Sequence, residues 1–598
     1  MRTNRKTEEK KMSMNKNIAR LAVTAGLTAA LSFGGVMAPV TMAFADGTTG
    51  RITINKVDDA KKDNTFKAYQ IFTAKVIDAQ DGSGKIASDV KWAVGDQAQK
   101  DIITAIRGSK DYSDSKSQLP TEDPITAQDV ADWLSANVTT TTASANGAKG
   151  TRVAPGDVLY SIAKAVINNE TAVGNSIKAG NSWTCSNDGY YLFVSDGLTD
   201  TTKPNTGTSP IFTIVGGNPV TVTEKTSIPT VDKQILDDTA GTDAANAEES
   251  NWKNSGDAWI GQDIDYRLTG HVADNIASYD TYYYEFQDTL SKGLKVVKNS
   301  DGLPNGLHVY IVDNGSKKEV APDADKGYTA TVTPGETELL NVSFKNLKTV
   351  QTAKGEPIEV GAASKVVVTY KAQLTSDAEY TTTGNTNEVK LVYSNNPMTN
   401  DRGTSESDKV TDYVFGLDVT KTDADPNNPN AKLVAGFTVK MIKEGPNKDV
   451  EKWLKRDGSF SNNANDAYTF ETTGEHNTVS IPGLVAGTYL ISESKTPAGY
   501  NTIADFEITV TPEFNKDGTL KKLSVTPGPG SDMVTAKIED GTTTTKIPIT
   551  IMNKKGSGLP LTGLNGVTFT WIAGGAVLCI GVAHLIRSRK QAEESEQE

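Results

Sequence analysis

At 598 residues the chain is too long for one core, and three or four domains are expected. Its 61 Lys+Arg against 74 Asp+Glu give a net charge of −13, which argues against nucleic acid or an anionic membrane surface as partners. Abundant Thr, Asn, Asp and Gly, with few Leu/Ala/Glu/Lys runs, predict a mostly β protein.

The first predicted element is a leader. Arg2, Arg5, Lys6, Lys10, Lys11, Lys16 and Arg20 form a basic lead into the apolar stretch LAVTAGLTAALSFGGVMAPV. Ala-Phe-Ala at 43–45 then supplies small residues for cleavage ahead of Asp46, so residues 1–45 read as an export signal. Residues 46–228 form a first unit, opening on the strand GRITINKV and passing through amphipathic segments such as AQDVADWLSANV. Residues 229–412 form a second unit, from PTVDKQI through YYYEFQDTLSKGL and ASKVVVTYKAQL to NEVKLVYSNNP. Residues 413–555 form a third, from YVFGLDVTKTD through GTYLISES to TKIPITIMNKK. Short Val/Thr/Ile/Tyr-rich runs of period two, parted by Asn/Asp/Gly/Pro clusters, predict tandem immunoglobulin-like β-sandwiches, with some helix in the first.

The chain closes on GSGLPLTGLNG, then the apolar run 567–586, long enough to span a bilayer, and the basic RSRK, expected on the cytoplasmic side. Export usually calls for a covalent staple or a good core. The only cysteines are Cys185 and Cys579, the second inside the terminal apolar run, so no disulfide is expected.

Alternation in a strand sends every second side chain inward. In the third unit, Phe415, Leu417 and Val419 share a face with Lys421; Tyr489 and Ile491 with Glu493; Ile547, Ile549 and Ile551 with Asn553. In the second unit, Val231 and Ile235 share a face with Lys233; Tyr284 and Phe286 with Asp288; Val389, Leu391 and Tyr393 with Asn387. Each unit thus sends a lysine, a carboxylic acid and an asparagine inward, on a first, a middle and a last strand. Strand ends reaching solvent would account for any one of these residues, but less well for two complete sets.

Burial lowers a lysine pKa and yields a neutral, nucleophilic amine. It raises a carboxyl pKa, so the protonated acid can polarise the asparagine carbonyl and shuttle protons. Attack on the side-chain amide would expel ammonia and leave a Lys–Asn isopeptide bond that closes a long loop, as a disulfide does, yet resists reduction.

With these residues in view, the chain resembles the sortase-assembled shaft pilins of Gram-positive bacteria. The third unit is similar to a collagen-adhesin B-type domain, with VTKTD at its start, YLISESKTPAGY (489–500) resembling the pilin glutamate box, and TIMNKK at its end. The second is similar to the A-type isopeptide domain, through TVDK, FQDTLSKGL and GNTNEVKLVYSNNP. The resemblance implies bonds Lys421–Asn553, promoted by Glu493, and Lys233–Asn387, promoted by Asp288, with Asn385 the alternative to Asn387. The first unit departs from this pattern. Lys56 follows Ile52 and Ile54 on an inward face, but Glu224 stands where an asparagine is expected, so no internal bond is expected there.

The resemblance also implies sortase cleavage in Leu559-Pro560-Leu561-Thr562-Gly563, between Thr562 and Gly563, and transfer to a lysine of another copy. The usual Tyr-Pro-Lys is replaced by Thr-Glu-Lys. Val220 and Val222 point in, so Lys225 points out and is the expected polymerising lysine, whereas Lys233 has the inward register. The implied partners are sortase, further copies of the chain, peptidoglycan, accessory or tip pilins and host surface ligands. The implied location is a pilus bound to the cell wall. The competing reading is a monomeric wall-anchored adhesin.

No cofactor or metal is expected. Four histidines show no clustering, DADPNNPN (423–430) lacks calcium-loop spacing, and neither a phosphate loop nor a Ser-His-Asp arrangement stands out. A turnover enzyme is therefore not expected.

Overall fold

The computed structural model describes residues 31–33, 50–56, 64–78, 85–115, 117–138, 153–198, 204–224, 226–237, 243–428, 431–539 and 541–556. The rest of the leader, Lys225, Leu559–Gly563, the 567–586 run and the basic tail lie outside the described residues. Among the described residues no helix is long and apolar enough to cross a membrane. Among the described residues the chain is mostly β-sheet, with its three main α-helices in the first unit.

In that unit, β1 (Arg51–Asn55) lies between Ser182–Thr184 and β6 (Val220–Thr223), parallel to the latter. A larger sheet runs β3 (Lys85–Trp92), β2 (Thr65–Asp78), β4 (Gly189–Asp196), β5 (Ile211–Val215). A three-residue strand, Leu31–Phe33, pairs in parallel with β3. Helices α1 (Asp96–Arg107), α2 (Ala127–Asn137) and α3 (Val158–Asn169) cover this sheet. Ile102, Ile106, Val130, Trp133, Ile162 and Val166 pack on it with Tyr190 and Leu192. The Thr126 capping box with Asp129 fixes the start of α2.

The second unit is a sandwich. One sheet has β7 (Thr230–Leu236), β8 (Asp263–His271) and β11 (Lys365–Leu374) side by side. The other has β13 (Asp408–Tyr413), β12 (Asn385–Ser394), β9 (Tyr284–Leu290) and β10 (Glu338–Phe344). Their inward faces bury Tyr266, Phe286, Val342, Val368, Tyr370 and Leu391 in one core.

The third unit repeats this plan. One sheet runs β16 (Thr478–Leu484), β14 (Phe415–Asp423), β19 (Lys546–Asn553), with β14 and β19 parallel. The other has β15 (Gly436–Glu444), β17 (Gly487–Lys495) and β18 (Phe506–Phe514) in succession.

One expectation about strand order is corrected. Asn387 does not sit on the last strand of its unit, because Arg402–Thr404 and β13 follow and pair with β12. Only Val414 separates β13 from β14, with no turn residue to mark the break, so KVTDYVFGL reads as one run.

The units join through polar seams. Asn395 Nδ2 donates to the Leu198 carbonyl and to Asn205 Oδ1, each at 2.9 Å, tying the second unit to the first. Between second and third, Ala486 N donates to Asp257 at 2.5 Å, and the Trp259 ring meets Phe460 at 5.7 Å.

Candidate functional sites in the sandwich cores

Two buried constellations lie in the cores of successive sandwiches. In the second unit, Lys233 on β7 faces inward opposite Leu268 of β8, and Ile235, the next inward residue of β7, lies opposite Tyr266. Asp288 and Asn387 come from the facing sheet, where Asp288 is opposite Val389 and Asn387 opposite Leu290, so the two lie diagonally on one face. All three side chains have no solvent exposure.

Lys233 Nζ donates to Asp288 Oδ1 and Oδ2 at 2.6 and 2.7 Å, and to the Tyr370 hydroxyl at 3.2 Å. It lies 5.1 and 5.4 Å from the ring centres of Tyr266 and Tyr370, which stack on each other 5.3 Å apart. The Tyr370 hydroxyl in turn donates to Asp288 Oδ2 at 2.5 Å and accepts from Asn387 Nδ2 at 2.7 Å. Asn387 Oδ1 is buried with no partner.

Burial pushes the Lys233 amine down, against the pull of Asp288, and pushes the Asp288 carboxyl up, against the pull of Lys233. Both shifts favour a neutral amine beside a neutral acid. That is the state in which the amine can attack and the acid can donate.

In the third unit, Lys421 and Asn553 lie on the neighbouring parallel strands β14 and β19, with Lys421 opposite Ile551 and Asp423 opposite Asn553. Glu493 reaches them from β17 in the facing sheet. Lys421 Nζ donates to Asn553 Oδ1 and lies 3.4 Å from Glu493 Oε1. Asn553 Nδ2 donates to both Glu493 oxygens at 3.0 Å, so the acid holds the amide directly. Burial lowers the Lys421 pKa to about 8, with Glu493 opposing the shift. Each site therefore pairs a desolvated amine with an amide and an acid. The chemistry open to it is condensation: the new C–N bond replaces the asparagine C–N bond and one ammonia leaves.

The remaining candidate residues lie elsewhere. Asn385 is buried, but its amide is consumed by backbone, accepting from Glu379 N at 2.8 Å and donating to the carbonyls of Glu379 and Asp412. Replacing Asn385 with Ala should cost about 1–3 kcal/mol of stability by orphaning those groups, measurable by denaturant melts, and leave the mass of the protein otherwise unchanged. In the first unit Glu224 is buried and accepts from Asn64 Nδ2 at 2.8 Å. Val220 and Val222 are buried while Thr221 and Thr223 are exposed, so β6 alternates as the sequence predicts up to the residue before Lys225. Cys185 is buried and its thiol, donating to the Gly50 carbonyl, is pushed up to about 11 by burial. Asp423, weighed as a calcium ligand, instead accepts from Tyr500 at 2.8 Å and from its own loop.

Sequence reasoning missed Tyr370, Tyr266 and Asp412, the last of which accepts from the Tyr266 hydroxyl. The signal for Tyr370 was its inward register with Val366, Val368 and Ala372, a place where a hydroxyl needs a partner.

Residues 416–526, within the third sandwich, match the SpaA prealbumin-like fold domain. The chain is also similar to fimbrial subunit type 2 of Actinomyces naeslundii, at 25% identity over 326 residues, 51% of this chain and 53% of that protein. The chain thus spans about half the length of the curated relative it matches. Among solved structures it is similar to the T6 backbone pilin of serotype M6 Streptococcus pyogenes, at 14% identity over 86% of this chain and 100% of that one, TM-score 0.45. It is also similar to the major pilin SpaA of Corynebacterium diphtheriae, at 12% identity over 85% and 100%, TM-score 0.39.

Proposed function

We propose that the chain is the repeating shaft subunit of a covalently polymerised pilus, and that each of its last two sandwiches is stapled by a self-formed Lys–Asn bond. The observation that carries this reading is the pair of buried Lys–acid–Asn constellations in successive domains, both with the amine desolvated. Such a device suits a chain under tension outside the cell that lacks any disulfide pair.

Sortase is the enzyme that the Leu559–Gly563 motif fits. It would cleave between Thr562 and Gly563, holding Thr562 as an acyl-enzyme. The amine of Lys225 on another copy attacks that carbonyl, releasing the enzyme thiol and joining Thr562 to Lys225. At the base of the fibre the wall peptide takes the place of Lys225, which anchors the polymer to peptidoglycan. Each internal bond forms once, so the chain is a structural protein and a sortase substrate. Accessory pilins and host ligands would meet the assembled fibre.

Immunoblots of cell-wall extracts test this. A ladder of high-mass species is expected from wild type and is expected to vanish in Lys225→Ala. A ladder that survives Lys225→Ala but disappears in Lys233→Ala would reverse the roles of the two lysines. A single wall-bound species in wild type would instead make the chain a monomeric adhesin.

A further inference from the structure

We propose that Tyr370 is a catalytic residue of the second sandwich, relaying a proton from Asp288 to the ammonia that leaves Asn387. This deepens the cross-linking reading and rests on it.

The two constellations differ in how the acid meets the amide. In the third unit, Glu493 holds both oxygens 3.0 Å from Asn553 Nδ2, with nothing interposed. In the second, the acid is aspartate, one methylene shorter. Asp288 spends its oxygens on Lys233 at 2.6 and 2.7 Å, and Asn387 Nδ2 is met by the Tyr370 hydroxyl at 2.7 Å. That hydroxyl is also 2.5 Å from Asp288 Oδ2, so Asp288, Tyr370 and Asn387 form one unbroken chain of hydrogen bonds. Tyr370 is fully buried, on the sheet opposite Asp288 and Asn387, and its ring is fixed by stacking on Tyr266.

The step balances as follows. With Lys233 neutral and Asp288 protonated, the lysine nitrogen adds to Asn387 Cγ, giving a tetrahedral centre. At that centre Nδ2 gains a lone pair and the two hydrogen bonds of the resting state reverse: Asp288 passes its proton to Tyr370 oxygen while Tyr370 passes its own to Nδ2, and the Cγ–Nδ2 bond breaks to release ammonia. The surplus proton on the lysine nitrogen returns to Asp288. Acid and phenol end as they began, and the amide Lys233–Asn387 remains. General acid help of this kind is worth roughly a hundredfold or more in rate.

The test uses the 46–562 protein carrying Lys421→Ala, in which loss of one ammonia reports the second unit alone. Mass is followed from the first minutes after synthesis. Tyr370→Phe keeps the ring stack and removes only the hydroxyl. Its uncross-linked form is expected to persist at least tenfold longer than in the parent. Tyr284→Phe removes a buried hydroxyl from the same core, one that donates to the His271 carbonyl and not to the site, and is expected to cross-link at the parent rate. Equal rates for Tyr370→Phe and the parent overturn the relay while leaving the bond intact. Equal slowing by Tyr284→Phe and Tyr370→Phe also overturns it, in favour of packing. A parent protein that loses no ammonia, with Lys233→Ala indistinguishable from it, overturns the cross-link itself.

Discussion

Replacing Lys421 with alanine is expected to lower the melting midpoint of the third unit by roughly 10–20 °C and to restore one ammonia to the mass of the 46–562 protein. Wild type should be lighter than its sequence by two ammonias, Lys421→Ala by one, and Lys233→Ala/Lys421→Ala by none. The thermal figure follows from the loop that the bond would close. Lys421 and Asn553 are 132 residues apart. In the chain-entropy account a cross-link over a loop of that size removes about 5 kcal/mol of freedom from the unfolded chain. For a domain of this size each kcal/mol is worth about 2–4 °C. Intact mass spectrometry and calorimetry of the same samples check both halves. A wild-type mass equal to the sequence mass sinks the cross-linking argument, whatever the melting curve shows.

The two bonds would act differently on the sandwich. In the third unit β14 and β19 are parallel neighbours at the entrance and exit of the domain, so a Lys421–Asn553 bond joins first strand to last within one sheet. A pull along the chain would then pass from β14 to β19 without loading the strands between. In the second unit Lys233 and Asn387 belong to opposite sheets, and β13 follows Asn387. That bond would pin the two layers together and leave the rest of β12 and β13 in the path. The second unit's bond would resist separation of its sheets, and the third unit's bond would resist extraction of its end strands.

Much of this site could be read from alternation, because period two is a property of the backbone and needs no partner to be known. Lys233, Asp288, Asn387, Lys421, Glu493 and Asn553 are all buried at the positions that their apolar neighbours dictate. What alternation cannot give is which inward residue meets which across the core, since that depends on how two sheets are offset. Tyr370 is the clearest case: its own strand says only that it points in, and an inward tyrosine is ordinary core. The Asn64–Glu224 bond is hidden for a similar reason, being made by residues 160 apart in sequence. The covering of the first unit's sheet by α1 and α3 was also illegible in detail. Helix periodicity marks an apolar stripe but does not name the sheet beneath it. Asn385 and Asn387 share a face, and only the backbone groups around Asn385 separate their roles.

Asn553→Ala should expose the buried amine as a pH-dependent liability that the finished bond removes. Without its amide partner, Lys421 stays beside Glu493 with a pKa of about 8 against an ordinary 10.5. The folded state then binds the proton less tightly than the unfolded state. Below pH 8 both states are protonated and the full penalty of burying the charge is present. Between about 8 and 10.5 the unfolded chain alone holds the proton, so stability rises with pH, and above that window the penalty is gone. The shift corresponds to about 3 kcal/mol. Wild type, whose Lys421 nitrogen would be an amide, has no such titration. The stability gap between wild type and Asn553→Ala, measured by denaturant melts from pH 7 to pH 11, is therefore expected to narrow by about 3 kcal/mol. Taking the difference cancels the exposed lysines and tyrosines that titrate in both proteins. A gap that stays constant across the window would mean that Lys421 is not held as a desolvated amine, and the nucleophile of the third unit would be lost with it.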